Sequence, residues 1–140
     1  MKKVAVVFWS GTGNTEAMAN AVVKGAQSAG ASAQLIAAAD FDAGKLAAYD
    51  AVAFGCPAMG SESLEDGEFE PMFESVKGSL NGKTIALFGS YGWGDCTWMH
   101  NWEDDCKAAG AVLACESVTC NDAPDDEALA ACKALGAALA

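Results

Sequence analysis

The sequence predicts an α/β protein: a doubly wound, five-stranded parallel sheet with helices on both faces. Three observations carry the prediction. Continuous apolar runs, "KVAVVFW" at residues 3–9 and "AVAFG" at Ala51–Gly55, read as strands covered on both sides. Between such runs lie segments whose apolar residues recur at helical spacing. The alternation occurs five times, without internal repeat, linker or low-complexity stretch, so residues 1–140 read as a single domain.

Each element has its own signal. Residues 3–9 form strand one. A helix over residues 14–29 follows, with Met18, Ala19, Val22, Val23 and Ala26 on one face and Gly30 at its end. Residues 33–37 form strand two, and residues 43–48 a short helix. Strand three is Ala51–Gly55, closed by Cys56-Pro57. An acidic loop, residues 61–70, leads to a helix at residues 71–77. "KTIALFGS", residues 83–90, is strand four. Trp98, Met99, Trp102, Cys106 and Ala109 mark the next helix, and residues 111–117 strand five. Pro124, followed by Asp125, Asp126 and Glu127, reads as the start of a last helix, with acids at its positive end.

Composition narrows the function. There are 19 acidic residues against 8 basic ones, none of them arginine, for a net charge of −11. Nucleic-acid binding, which neutralises phosphates with cationic side chains, is excluded on that balance. A basic protein partner, met through long-range attraction, is favoured. No apolar run is long enough to span a membrane, and Met1-Lys2-Lys3 leads into a strand rather than a signal peptide. The expectation is a cytoplasmic protein. The six cysteines contain no C-x-x-C pair, and no metal site is expected. Cys56 and Cys115, in strands, and Cys132, on a helix face, read as buried small hydrophobes. Trp9, Trp98 and Trp102 read as core or subsurface residues, and His100 as a surface residue.

In a doubly wound sheet, ligands bind beyond the carboxyl ends of the strands. Three loops there have unusual chemistry. "SGTGNT" comprises Ser10, Gly11, Thr12, Gly13, Asn14 and Thr15. It lacks the lysine of a triphosphate loop and the third glycine of a dinucleotide loop. Its amides and hydroxyls suit a single terminal phosphate, although an ordinary helix-capping turn has a similar composition. "PAMGSE" comprises Pro57, Ala58, Met59, Gly60, Ser61 and Glu62. Its methionine can either cover a flat ring or pack in the core. "SYGWG" comprises Ser90, Tyr91, Gly92, Trp93 and Gly94, where a tryptophan between glycines offers a stacking wall. Together the loops describe a site for a flat aromatic ring with a monophosphate tail, and flavin mononucleotide (FMN) is the natural candidate.

The stretches "WSGTGNTE", "GCPAMGSE" and "LFGSYGWGD" resemble, in order and spacing, the cofactor loops of flavodoxins, and most closely those of the short-chain flavodoxins of anaerobic bacteria. The resemblance covers the whole chain and implies strand order 2-1-3-4-5. It implies that Ser10, Thr12, Gly13, Asn14 and Thr15 bind the FMN phosphate. Met59 would cover the inner flavin face and Trp93 the outer, with Glu62 accepting a hydrogen bond from ring N3. Ser90, Tyr91, Gly92 and Gly94 would line the pyrimidine edge and ribityl chain. Pro57 stands where relatives often carry Ser or Thr, so a side-chain hydrogen bond is lost there. The Gly60–Ser61 peptide would turn over on one-electron reduction.

The function implied is a monomeric one-electron carrier, not an enzyme, with no catalytic residue of its own. It would use the low-potential semiquinone/hydroquinone couple to substitute for ferredoxin between reductases and ferredoxin-dependent oxidoreductases. The alternative is a flavodoxin-like NAD(P)H:quinone oxidoreductase. An acidic cluster of Glu62, Glu65, Asp66, Glu68 and Glu70, with Asp95 in the facing loop, is expected to steer partners with basic docking surfaces.

Overall fold

Side chains on both sides of the central strands are buried, and this decides the architecture. Val4 and Val6 face one side of β1 (Lys3–Phe8) and Ala5 and Val7 the other, and all four are fully buried. A strand with two apolar faces must lie inside a sheet covered by helices on both sides. The computed structural model describes every residue except Met1, Thr12, residues 60–62, Trp93 and Asp95.

After β1 come α1 (Asn14–Ser28), β2 (Ser32–Ala37), a 3-10 turn (Ala38–Asp40) and α2 (Ala43–Leu46). Then follow β3 (Ala51–Gly55), α3 (Phe69–Lys77), β4 (Thr84–Tyr91) and α4 (Thr97–Ala108). The chain closes with β5 (Val112–Leu113), β6 (Val118–Asn121) and α5 (Asp126–Leu139). All strand pairings are parallel, in the order β2-β1-β3-β4-β5, with β6 also paired to β4. This is the doubly wound sheet and the 2-1-3-4-5 order expected from the sequence. Phe8 lies opposite Gly55, and Gly55 opposite Phe88. The loops after β1, β3 and β4 therefore leave the sheet side by side, where the winding reverses.

The fifth strand differs from expectation. Residues 111–117 were expected to run unbroken, but the strand is split and reaches Asn121. Ile85 pairs with Leu113 and Phe88 with Val118, so three steps along β4 face five along its neighbour. The two extra residues form a bulge, which bends an edge strand and breaks its ladder. Cys115 lies in this break and is partly exposed, not buried in a strand.

Two helix starts also differ. Helix α3 begins at Phe69, ahead of Pro71, because an amide in the first helical turn has no intrahelical partner and its loss costs little. Helix α5 begins after Asp125, whose side chain accepts the Ala128 N–H at 2.8 Å. Pro124 thus stands before the cap rather than inside the helix. All six cysteines are free, and burial pushes the thiols of Cys56, Cys106 and Cys132 up to about 12. Among the described residues, no helix is long and apolar enough to cross a membrane.

Candidate functional site

The first site loop begins where Trp9 donates its backbone N–H to the Gly55 carbonyl at 3.0 Å. Ser10 Oγ then accepts the N–H groups of Gly13, at 3.0 Å, and Glu16, at 3.3 Å. This folds the loop back over the start of α1 and leaves the hydroxyl proton of Ser10 free to donate. Gly13 caps the helix at φ 95°, a left-handed conformation that glycine adopts without strain. The first-turn amides of Asn14 and Thr15 have no carbonyl within the helix to bond. Together with the positive end of the helix dipole, they offer unbonded donors of the kind that suit an anion.

Thr15 is buried beneath this loop. Its Oγ1 lies 3.2 Å from Ser90 Oγ and accepts the Ser90 N–H at the longer distance of 3.5 Å. The first and third loops are thereby tied together through hydroxyls enclosed between them.

The second loop is held against the third by backbone contacts. Cys56 N–H donates to the Phe88 carbonyl at 3.1 Å and Ala58 N–H to the Ser90 carbonyl at 3.0 Å. Trp98 Nε1 donates to the Cys56 carbonyl at 3.3 Å. A Cβ on Gly89 would stand 2.2 Å from the Cys56 oxygen, so only glycine permits this approach. The Tyr91 ring leans on Trp98 at a centroid distance of 5.7 Å, and the Tyr91 carbonyl accepts the Asp122 N–H at 2.7 Å.

Between the loops opens a cleft of about 250 Å³, lined by Trp9, Gly11, Asn14, Pro57, Ala58, Met59, Ser90, Tyr91, Gly92 and Asp122. Of the residues expected from the sequence, Gly11, Asn14, Pro57, Ala58, Met59, Ser90, Tyr91 and Gly92 meet there. Ser10, Gly13 and Thr15 shape the loop beneath them. Gly94 is exposed and does not line the cleft. Thr12, Gly60, Ser61, Glu62 and Trp93 lie outside the described residues, as does Asp95.

Two lining residues escaped the sequence reading. Trp9, which reads from the sequence as a core or subsurface residue, is partly buried against the core and also forms a cleft wall. Its position at the carboxyl end of β1, next to Ser10, was the available signal. Asp122 follows β6, whose extent the sequence did not reveal. It holds φ 57°, an uncommon conformation for a residue with a Cβ. The acidic cluster needs a larger correction. Asp66, Glu68 and Glu70 are exposed, but Glu65 is buried at 8% exposure, so it does not belong to the solvated face.

The cleft suits the chemistry of FMN. Trp9, Pro57, Met59 and Tyr91 offer apolar walls to a flat ring. Amides and hydroxyls at the N-terminus of α1 suit a phosphate, and no lysine lines the cleft among the described residues. Among those residues there is also no cluster of three or more His, Cys, Asp or Glu side chains that could hold a metal ion.

Comparison with known proteins points the same way. The family model described as Flavodoxin matches residues 6–136. A flavodoxin of Megasphaera elsdenii is 43% identical over 137 residues, covering 98% of this chain and 98% of that protein. A flavodoxin of Clostridium beijerinckii is 41% identical over 121 residues, covering 86% and 88%. The solution structure of two-electron reduced M. elsdenii flavodoxin superposes with a TM-score of 0.89 at 43% identity, covering 97% of each chain.

Proposed function

The chain belongs to the flavodoxin family of FMN-binding electron carriers, and from that premise we propose that it works at low potential, substituting for ferredoxin between redox enzymes. The observation that carries this reading is a helix N-terminus with unbonded first-turn amides and, among the described lining residues, no cation, opening on a cleft with aromatic and thioether walls. When bound, FMN supplies the one-electron chemistry, and the protein sets its energetics.

Each residue has a task in this reading. The Ser10 hydroxyl, Asn14 and the first-turn amides hold the phosphate. Thr15 and Ser90 keep the phosphate loop and the β4 loop in fixed relation. Trp9, Met59 and Tyr91 exclude water from the ring. Thr12, Glu62 and Trp93 join them by family resemblance, as phosphate, N3 and stacking partners respectively. Neutral donors leave the phosphate charge uncompensated, and the chain carries a net charge of −11. Placing further negative charge on the ring is therefore costly. About 1.4 kcal/mol of such penalty corresponds to about 59 mV for one electron.

The protein acts in this reading as a cytoplasmic monomer. Exposed Asp66, Glu68 and Glu70, close in sequence to the Met59 loop, steer partners with basic surfaces. The test is a titration of the apoprotein with FMN and with riboflavin, followed by an anaerobic redox titration. FMN should bind more tightly by several kcal/mol, because charge-assisted hydrogen bonds are the strong ones. Equal affinity for the two flavins, or steady turnover of NAD(P)H with a quinone, would overturn the proposal.

A further inference from the structure

Glu65 is a buried acid beside the cofactor loop that the proposed function leaves unused. At 8% exposure, every polar atom of the residue is engaged. Its Oε2 accepts the Gly67 N–H at 2.7 Å, and its Oε1 accepts those of Glu68 at 2.7 Å and Phe69 at 2.8 Å. Its carbonyl accepts the Glu70 N–H at 2.8 Å. Its own N–H reaches back to Cys56 Sγ at 3.4 Å, and that thiol donates to the Pro57 carbonyl at 3.5 Å. Gly67 makes room for the carboxylate, since a Cβ there would stand 2.8 Å from Oε2. Cys56, after β3, and Glu65, before α3, thus meet at the base of the connection whose described residues are 57–59, 63 and 64. That segment delivers Pro57, Ala58 and Met59 to the cleft, and Met59 N–H crosses it to the Ser63 carbonyl at 3.0 Å.

We propose that Glu65 is a positioning residue for cofactor binding: its carboxylate, bonded to the amides of residues 67–69, holds the Glu65 backbone where its N–H meets Cys56, so that the Met59 wall stands formed before the flavin arrives. This rests on the FMN reading. A loop with an open base must be ordered on binding, and that ordering subtracts from affinity. The carboxylate also neutralises the amides at the start of α3. Without it, a positive helix end close to the cofactor loop would ease the addition of the second electron. A short hydroxyl cap would satisfy one amide. A carboxylate on two methylenes reaches three successive amides, and these charge-assisted bonds offset its burial.

The experiment compares wild type, Glu65→Gln, Cys56→Ala and Cys56→Ser. Each apoprotein is melted thermally and titrated with FMN, and each holoprotein is titrated anaerobically for its two potentials. Glu65→Gln should weaken FMN binding roughly ten- to a hundredfold, the range spanned by hydrogen bonds to charged groups. It should also move the second potential upward. Cys56→Ala should weaken FMN binding less, and Cys56→Ser, whose hydroxyl can accept the Glu65 N–H, should restore it. A Glu65→Gln protein that melts earlier but keeps its FMN affinity and both potentials would overturn the proposal, reducing Glu65 to a helix cap. If Glu65→Gln does not fold, the Cys56 pair decides, and equal FMN affinity in its two variants overturns it. A wild-type chain that takes up no FMN overturns the cofactor reading, and this proposal with it.

Discussion

The two faces of the sheet are built from different materials. On one face, α1 and α5 cover Val4, Val6, Ala51, Ala53 and Ala86 with Ala19, Val22, Ala26, Cys132 and Leu135. On the other, α3 and α4 cover Ala5, Val7, Val52 and Leu87 with Phe69, Phe73, Trp98 and Trp102, and Phe54 joins them from β3. The first face is held by close approach of backbones. A Cβ on Gly25 would stand 2.0 Å from the Lys133 carbonyl oxygen, and one on Gly136 would stand 2.0 Å from that of Val22. The second is held by interlocked rings: Trp102 meets Phe69 and Phe73 edge-on at 5.4 and 5.8 Å, and Phe54 meets Phe73 at 5.5 Å. Where two helices meet backbone to backbone there is no room to grow, whereas a face of interlocked rings cannot lose one without leaving a void.

Opposite substitutions should break the two faces. The largest effect is expected from Gly136→Val, because the new side chain meets main chain that cannot rotate away. Overpacking of this kind costs roughly 1–3 kcal/mol, and more against backbone. Chemical denaturation should place Gly136→Val beyond 3 kcal/mol of loss, and FMN affinity should fall as well, since the N-terminus of α1 carries the proposed phosphate site. A stable protein with unmoved FMN affinity would show that the two helices can part without consequence.

Truncation on the aromatic face comes next. Trp102→Ala should cost about 3–5 kcal/mol, as large aromatic-to-alanine changes do. Trp102→Phe should cost much less. It keeps most of the ring contact and removes an indole N–H that is buried without a hydrogen-bond partner among the described residues. A Phe variant as unstable as the Ala variant would mean that the indole fills space a phenyl ring cannot.

The pH dependence sharpens the comparison at the edge of the aromatic face, where Glu65 caps α3. Desolvation raises its carboxyl, but the N–H groups of Phe69, Glu68 and Gly67 outweigh it and hold the group below its ordinary value of 4.5. A carboxyl depressed in the folded state contributes stability above the unfolded value and loses it as pH falls through the folded one. Wild-type stability should therefore drop more steeply than that of Glu65→Gln as pH is lowered from 4.5, with the two curves parallel above it. Parallel curves throughout would mean that the carboxylate bonds add nothing.

The smallest effect belongs to His100, whose Nδ1 lies 3.5 Å from Glu103 Oε1 on the exposed side of α4. A pair of this kind, with the histidine exposed and the partly buried Glu103 also held by Ser117, contributes about 0–1 kcal/mol. His100→Ala should leave the midpoint of unfolding nearly unchanged at neutral pH.

Local sequence determined most of the frame. Runs such as "AVAFG" and the helical spacing of Met18, Val22 and Ala26 report burial directly, because period and polarity follow from which faces meet water. The glycines and hydroxyls of residues 10–15 mark the loop proposed to hold the phosphate, since only small residues allow backbone amides to converge on a ligand. What the sequence could not settle is whatever depends on distant partners. The bulge after Leu113 is a matter of register against β4, and no residue within 114–117 announces it. It set where β6 ends, and so brought Asp122 to the cleft. Glu65 reads as one more acid in an acidic run, and only the turn of the chain into α3 gives it three amides and removes it from solvent. Trp9 has the composition of a core residue, but its place beyond the last paired position of β1 turns it into a wall of the site. In each case the deciding energy is a packing or hydrogen-bonding term between segments far apart in sequence, and that term exists only once the sheet has formed.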